Sequence, residues 1–310
     1  MSVYIHGGLR SPIGVLNGQY KHMRPEILGS QVIDEIINRY TISHIDGIFC
    51  GNAVGTGGNL GRLMGLMCNL PNSVPAITVD MQCASALMSI EIAYAHIVSG
   101  IMDSAIAGGI ESSSLQPERV YASGDDREGP YKVAQFTPQD QSPLAMLKGA
   151  ERTIHKYNVT KEDLYPHIIG SHQRASAALD NPYLQSYIMP ITIDGKRCID
   201  ECIRPTMNEK LLSRMKPLLG ADSITNAGNA CLTHDGAAFV YLSNKKGPFK
   251  IHSVKPWAGN PQFSPEGALE STEAILKRTG LTMDDIDVVE WNEAFAIIDV
   301  LFNKAYPKHL

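Results

Sequence analysis

One stretch, residues 74–100, constrains the fold of this chain more than any other. Residues 74–79 are apolar and largely β-branched and follow a proline-bounded turn, which is typical of a buried strand. Between 84 and 98 the apolar residues recur every three or four positions, which predicts a helix. The stretch therefore predicts the strand–turn–helix unit of an α/β protein, with Cys83 at the turn.

Cys83 stands where the first backbone N–H groups of the predicted helix have no partner within that helix. Their partial positive charge favours a thiolate over a thiol, so a cysteine at this point is a candidate nucleophile. Ser85 and Ala86 are small and leave room for a substrate beside the sulfur. The alternative is a small buried apolar residue without chemistry, and the residue pattern alone leaves both interpretations open.

Short motifs occur in order along almost the whole chain. They are RSPIG (10–14), GNAV (51–54), LPNSVPA (70–76), Cys83-Ala-Ser, AGGIESSS (107–114), SHQRA (171–175), AGNACLTHDGAA (227–238) and NEAFA (292–296). Together, in this order and at this spacing, they make the chain resemble the thiolase family. In that family a cysteine between a strand and a helix accepts the acyl group, and the resemblance implies this role for Cys83. The chain departs from the family at Ala86, where glycine is usual.

The resemblance implies an α/β fold, the thiolase-like layered αβαβα arrangement with a helical loop-domain insertion and an incomplete C-terminal half. Residues 1–113 would form the nucleophile-bearing N-terminal half, and residues 114–220 the loop domain that binds coenzyme A. Residues 221–247 would return to the N-terminal half, and residues 248–310 would form a partial C-terminal half. The composition favours an insertion, because prolines, charges and aromatics rise after residue 114.

A weak internal repeat indicates duplicated βαβ halves independently of the resemblance. FKIHSV at 249–254 echoes VYIHG at 3–7, and IDVVEWNEAF at 286–295 echoes IDGIFCGNAV at 45–54. The last two segments are 241 residues apart, which places the second copy of the Cys83 turn near position 324, outside these 310 residues. We therefore expect an incomplete second half, with the helix after Cys83 partly uncovered.

The resemblance also implies roles for residues outside the turn. Asn292 in NEAFA would hold an oxyanion-hole water, and Glu293 is interpreted as a structural partner in the same motif. Arg204 in IRPT would contact the nucleotide end of coenzyme A, with a salt-bridged surface arginine as the alternative. Cys231 and His234 would lie along the pantetheine path, with a packed small residue as the alternative for Cys231.

The family reaction is acyl transfer between coenzyme A thioesters, which condenses or cleaves a 3-ketoacyl-CoA through an acyl-cysteine intermediate. Acyl-CoA would be the substrate, and no bound cofactor is implied. In the family a Gly-His-Pro histidine and a second cysteine in Cys-x-Gly take part, and neither motif occurs in these 310 residues. We therefore expect at most a trace of acetylated Cys83 and no acetoacetyl-CoA. A catalytically silent thiolase fold and a β-ketoacyl synthase-like condensing enzyme stay open as alternatives.

Composition argues against other classes of function. A net charge of −5 argues against a nucleic-acid-binding face, and no apolar run reaches the ~18 residues of a membrane span. Six scattered cysteines indicate reduced thiols in a cytoplasmic protein. Cys198 and Cys202 have no second Cys/His pair at ligand spacing, so we expect no metal site. The resemblance and the uncovered helix predict a homo-oligomer, a dimer or tetramer.

Overall fold

The structure, a computed structural model, describes residues 1–138, 140 and 142–309. The chain divides into two compact units, which are described separately. The first unit comprises Met1–Arg119, Leu179–Cys202 and Thr233–His252, and the second comprises Val120–Ala178, Ile203–Leu232 and Ser253–Leu310. This division reflects only which segments pack compactly together. The four segments predicted from the sequence, at 1–113, 114–220, 221–247 and 248–310, stay a prediction.

The elements are numbered in chain order. The strands are β1 (Tyr4–Arg10), β2 (Gly14–Val15), β3 (Gly47–Gly51), β4 (Ala76–Val79), β5 (Ser104–Ser112), β6 (Arg119–Val120), β7 (Pro130–Tyr131), β8 (Thr192–Ile193), β9 (Lys196–Arg197), β10 (His234–Ser243) and β11 (Phe249–Lys250). The helices are α1 (Pro25–Arg39), α2 (Leu60–Met67), α3 (Ser85–Val98), α4 (Ala145–Lys156), α5 (Lys161–Ala178), α6 (Pro182–Gln185), α7 (Glu209–Leu212), α8 (Glu266–Thr279) and α9 (Ile297–Ala305). Short 3₁₀ turns cover Pro261–Phe263 and Met283–Asp285.

A seven-stranded mixed sheet is the framework of the first unit. Its strand order is β11-β1-β10-β5-β3-β4, and β2 pairs with the start of β10. β3 runs parallel to both β4 and β5, whereas β10 is antiparallel to β5 and β1. Parallel neighbours need crossover connections, and α2 and α3 provide them. The α/β class predicted from the sequence is confirmed.

Helices cover both faces of this sheet, because side chains alternate between the faces along each strand. Ile106 and Ile110 of β5 face α1 and α2, whose apolar residues recur at helical spacing. Ala105 and Ala107 lie on the opposite face of the same strand and pack under α3. Small residues on that face allow α3 to lie close to the sheet, which matters for the turn that precedes it.

The second unit has a helical core. α5 begins with the reciprocal cap that the T-x-x-D pattern predicts: the Thr160 amide donates to the Asp163 carboxylate at 2.8 Å, and the Asp163 amide donates to the Thr160 hydroxyl at 3.2 Å. Apolar faces of α4, α5 and α9 meet in one cluster. Its fully buried members include Ile154, Leu164, Ile168, Ile297, Val300 and Leu301.

Three sequence-based expectations about strands differ from the structure. The segment before Cys83 is a sheet edge, not a buried strand: among the described residues β4 pairs with β3 alone, and Ile77 is 41% exposed. The strand expected at 249–254 pairs only over Phe249–Lys250. Residues 286–291 form no strand with any described residue, and Val288 is 74% exposed. A strand requires a neighbour for its backbone groups, and residue pattern alone does not provide one.

Candidate active site

The turn between β4 and α3 presents Cys83 at the surface. β4 ends at Val79 and α3 begins at Ser85, and the Cys83 side chain between them is exposed. Gln82, immediately before the cysteine, has a left-handed backbone with φ of 50°. A residue with a Cβ carries a cost of about 1 kcal/mol or more in that conformation, so surrounding contacts must hold the turn in place.

Ser85 supplies those contacts from within the turn. Its buried hydroxyl accepts a hydrogen bond from the Met81 amide at 2.8 Å and donates one to the Gln82 carbonyl at 2.6 Å. The Asp80 carboxylate accepts a bond from the Gln82 amide, also at 2.8 Å. The polar backbone groups around Cys83 are therefore tied to side chains of the same short segment, which fixes the sulfur on its turn.

Two glycines let the start of α3 lie directly on the sheet. A Cβ at Gly51 would lie 2.5 Å from the backbone nitrogen of Ala86, closer than any real contact. A Cβ at Gly109 would lie 3.1 Å from the Cβ of Ala86. The alanine at position 86, where the family usually has glycine, therefore fits because position 109 carries no side chain.

Ser89, one turn further along α3, joins the helix to β5. It is fully buried, its hydroxyl donates to the Gly108 carbonyl, and it accepts from the Gly108 amide, both at 2.8 Å. These bonds join a helix side chain to the backbone of a central strand. They hold α3 at a fixed depth on the sheet, and thereby hold the turn at its N-terminus.

Glu111 at the end of β5 holds the GNAV loop. Its carboxylate accepts hydrogen bonds from the Asn52 side chain at 2.9 Å, from the Ala53 amide at 2.9 Å and from the Val54 amide at 2.8 Å. The GNAV loop after β3 is thus fastened to the sheet by one half-buried acid. Sequence reasoning did not single out Glu111, although its place after two glycines of a central strand was visible.

His234 lies at the start of β10 in the first unit, the unit that also contains Cys83. His234 pairs with Val15 of β2 across the sheet. The Nε2 atom of its imidazole is buried and has no hydrogen-bond partner in the described part of the chain. Burial lowers the pKa of His234, with a smaller opposing effect of Asp235, so the imidazole is held neutral. No hydrogen bond joins His234 to Cys83 among the residues that the structure describes.

Asn292 and Cys231 are brought together in the second unit. The Cys231 amide donates to the Ala294 carbonyl at 2.8 Å, and Ala230 pairs with Phe295 in an isolated bridge. Both Asn292 and Cys231 are exposed. The segment around Cys231 and the NEAFA motif therefore lie side by side, although 61 positions separate Cys231 from Asn292.

The residues beside Asn292 are anchored to helices. Glu293 accepts a hydrogen bond from the Ser171 hydroxyl at 2.5 Å and pairs with Arg174 at 3.2 Å, both on α5. The Trp291 indole N–H donates to Asp299 on α9 at 3.2 Å. Burial, and then the charge of Glu293, raise the pKa of Asp299 to about 7. The structural role inferred for Glu293 fits this geometry. Ser171 and Arg174 entered the sequence analysis only as part of the SHQRA motif, without a role, and Asp299 gave no local signal.

Arg204 lies elsewhere in the second unit, beside α5. It is exposed, its amide donates to Nδ1 of His172 at 3.2 Å, and its guanidinium donates to the Ile203 carbonyl at 3.1 Å. Burial, and then the charge of Arg204, lower the pKa of His172. The pair provides an uncharged imidazole beside a cation. The role predicted for Arg204 stays a prediction.

Metal-binding clusters and membrane-spanning helices are absent from the described residues. None of their His, Cys, Asp and Glu side chains form a group of three or more that could hold a metal ion. Within the same ranges, no helix is both long enough and apolar enough to cross a bilayer.

Known proteins resemble this chain in sequence over most of its length. Residues 3–246 match the family model described as "Thiolase, N-terminal domain". A Staphylococcus epidermidis protein, VraB, bears the name of an acetyl-CoA C-acetyltransferase. It is 32% identical over 307 residues, which cover 93% of this chain and 78% of the relative. A Staphylococcus aureus protein of the same name is 31% identical over 302 residues, with 93% and 79% covered.

Two solved structures share the fold. The Bacillus anthracis acetyl-CoA acetyltransferase superposes with a TM-score of 0.90 at 24% identity, over 99% of this chain and 83% of that one. The human mitochondrial 3-ketoacyl-CoA thiolase in complex with CoA also gives 0.90 at 24% identity, over 98% and 82%. At this identity the likeness establishes the fold, and the family model with the VraB relatives establishes kinship: the chain belongs to the thiolase family.

Proposed function

We propose that this chain is an acyl-CoA C-acyltransferase that carries an acyl group on Cys83. The observation that carries the proposal is the exposed thiol on a strained, hydrogen-bonded turn at the N-terminus of a long helix. The partial positive charge at that helix terminus stabilises negative charge that develops nearby during acyl transfer. The names of the VraB relatives and the CoA complex of the human thiolase support coenzyme A thioesters as the substrate class.

The reaction has two balanced steps. The Cys83 sulfur attacks the thioester carbonyl, the carbon–sulfur bond to coenzyme A breaks, and the proton that the Cys83 thiol gave up ends on the departing coenzyme A sulfur. In condensation, the α-carbon of a second acyl-CoA loses a proton and attacks the acyl-cysteine. The Cys83 sulfur then departs and ends as the thiol with that proton, and a 3-ketoacyl-CoA is released. Thiolytic cleavage is the same sequence in reverse.

The other predicted site residues have supporting roles in this proposal. The Asn292 amide holds the water that stabilises the oxyanion, consistent with its exposure and its anchored neighbours. Arg204 contacts the nucleotide end of coenzyme A, and Cys231 and His234 lie along the pantetheine path. A neutral His234 with an unpartnered buried nitrogen is also the first residue to substitute if a base other than a Gly-His-Pro histidine is active.

The proposal is tested by mass spectrometry of the full chain after incubation with acetyl-CoA. We expect the adduct to be a single acetyl group on Cys83, the exposed thiol on the turn before α3. Cys83→Ser should abolish the adduct, whereas Cys231→Ser, which removes the other exposed cysteine, should keep it. An adduct on any other residue would refute the assignment.

The two alternatives give different results in the same experiment. A catalytically silent thiolase fold would bind acyl-CoA or nothing, and would leave Cys83 unmodified under all conditions. A β-ketoacyl synthase-like enzyme would take its acyl group more readily from a carrier protein than from coenzyme A. Cleavage of acetoacetyl-CoA with excess coenzyme A would show the full thiolase reaction.

Assembly and location complete the proposal. We expect a homo-oligomer, a dimer or tetramer, because an open sheet edge with Ile77 lies close in sequence to Leu87 of α3, which is 72% exposed. Analytical ultracentrifugation that shows only a monomer would contradict this. A cytoplasmic location is supported by six cysteines of which no two are joined in a disulfide.

A further inference from the structure

Glu293 is placed to orient its neighbour and not to exchange protons. We propose that Glu293 is a positioning residue whose carboxylate, held by Ser171 and Arg174 on α5, fixes the backbone from which Asn292 presents its amide. This inference rests on the oxyanion role proposed above for Asn292. The contacts of Glu293 and of Trp291, on the two sides of Asn292, support it.

Both oxygens of the Glu293 carboxylate have donors. The Ser171 hydroxyl donates to Oε2 at 2.5 Å, and the Arg174 guanidinium donates to Oε1 at 3.2 Å. The two donors are three residues apart on α5, so one face of a rigid helix provides both. The Arg174 side chain is 67% exposed, which makes the ion pair weak, so the short Ser171 hydroxyl bond is the firmer of the two contacts. Both oxygens of the Glu293 carboxylate are thereby tied to α5.

The other neighbour of Asn292 is anchored to a different helix. The Trp291 indole donates to Asp299 at 3.2 Å, and its ring stacks on Phe302 with centroids 4.3 Å apart and planes within 5°. Asp299 and Phe302 both belong to α9. The segment 291–293 is therefore held at both ends by helices of the same unit.

Asn292 itself is different from both neighbours. Its carbonyl accepts from the Ala294 amide at 2.8 Å, which closes a tight turn, but its exposed side-chain amide makes no hydrogen bond within the described ranges. A fixed backbone with an unengaged amide is what a preorganised donor to water or an oxyanion requires, since no reorganisation is needed when charge develops. Loss of the Glu293 anchor would leave the Asn292 side-chain amide chemically unchanged but would shift its position.

The test uses the full chain and four variants: Glu293→Ala, Glu293→Gln, Ser171→Ala and the control Glu290→Gln. Glu290 is an exposed carboxylate on the same segment and forms no hydrogen bond with any residue that the structure describes. Two readouts are taken: the rate of acetyl transfer from acetyl-CoA to Cys83, and amide hydrogen exchange of the peptide 290–296. Thermal melting of each variant confirms that it is folded.

A positioning role predicts a graded result. Glu293→Ala and Ser171→Ala should exchange faster over 290–296 and acylate about 10- to 100-fold more slowly, since a displacement near 1 Å costs about 10²-fold. Glu293→Gln keeps an oxygen for the Ser171 hydroxyl, so we expect it to stay within about threefold of the wild type. Glu290→Gln should match the wild type in both readouts.

The outcomes separate this inference from the proposed function. Equal losses in Glu293→Gln and Glu293→Ala would make Glu293 an acid or base and overturn the proposal, as would unchanged exchange in Glu293→Ala and Ser171→Ala. A normal acylation rate in variants with faster exchange would overturn it as well. If the wild type itself takes no acetyl group, the proposed function fails, and the exchange data still decide whether Glu293 holds the loop.

Discussion

The hydroxyl of Ser85 accepts a hydrogen bond from the amide of Met81 at 2.8 Å, across the turn that carries Cys83. The same hydroxyl donates to the Gln82 carbonyl, so one buried side chain satisfies two backbone groups of a left-handed turn. The candidate nucleophile is thus positioned by its local segment as well as by the sheet below.

The first prediction is that Ser85→Ala destabilises the chain by about 1–3 kcal/mol, because the Met81 amide loses the acceptor that the buried Ser85 hydroxyl provides. Urea denaturation followed by circular dichroism measures this. Ser99→Ala is the control. Ser99 is an exposed serine at the other end of α3, and its hydroxyl donates to the His96 carbonyl at 3.0 Å, so the loss of that hydroxyl should stay within about 0.5 kcal/mol. Equal midpoints for the two variants would contradict the prediction.

The second prediction concerns the glycine under the turn. Gly51→Ala should cost about 1–3 kcal/mol, because the new Cβ would lie 2.5 Å from the backbone of Ala86 and must push the start of α3 away. Gly267→Ala, in α8, provides a matched control with nothing within 4 Å of its new methyl group, and should stabilise the chain by up to about 1 kcal/mol. Thermal melting compares them, and a neutral Gly51→Ala would show that α3 is not held this closely.

The third prediction orders the thiols by reactivity. Burial raises the pKa of Cys50 and of Cys68 to about 12, so both should stay unmodified by iodoacetamide at neutral pH. Cys83 and Cys231 are exposed, and Cys83 alone stands at the N-terminus of a long helix, so it should react first. Peptide mapping over time gives the order, which is wrong if Cys231 or a buried thiol is labelled sooner.

The fourth prediction is a pH dependence of stability. The pKa of Asp299 is raised from 3.8 to about 7, mainly by burial, so the unfolded chain releases this proton at lower pH than the folded chain does. Its contribution to the free energy of unfolding is therefore lost as pH rises from about 4 to 7, by on the order of 4 kcal/mol.

Asp299→Asn should remove that loss, so the variant gains stability relative to the wild type as pH rises towards 8. Asp287→Asn, which changes an exposed carboxyl in the preceding segment, should run parallel to the wild type at all pH values. Urea midpoints between pH 4 and 8 provide the comparison. A wild type and an Asp299→Asn variant with the same pH profile would show that Asp299 titrates normally.

Local pattern was sufficient for much of the framework. The strand–turn–helix unit at Cys83, the reciprocal cap of Thr160 and Asp163, and the amphipathic faces of α1 and α5 all follow from residues a few positions apart. The α/β class and the thiolase family, both confirmed, were legible for the same reason. Helical period and capping depend on residues a few positions apart in the sequence. They can therefore be predicted before any tertiary contact is known.

Tertiary structure alone decided which side chains support the candidate site. Ser171 and Glu293 meet although 122 residues separate them, and Glu111 fastens a loop 57 residues earlier at Val54. Packing also made β4 an edge and raised the pKa of Asp299, because exposure and desolvation depend on which elements lie alongside. The sequence by itself determined where a nucleophile could stand, and the packed chain decided what holds it and its proposed partner Asn292 in place.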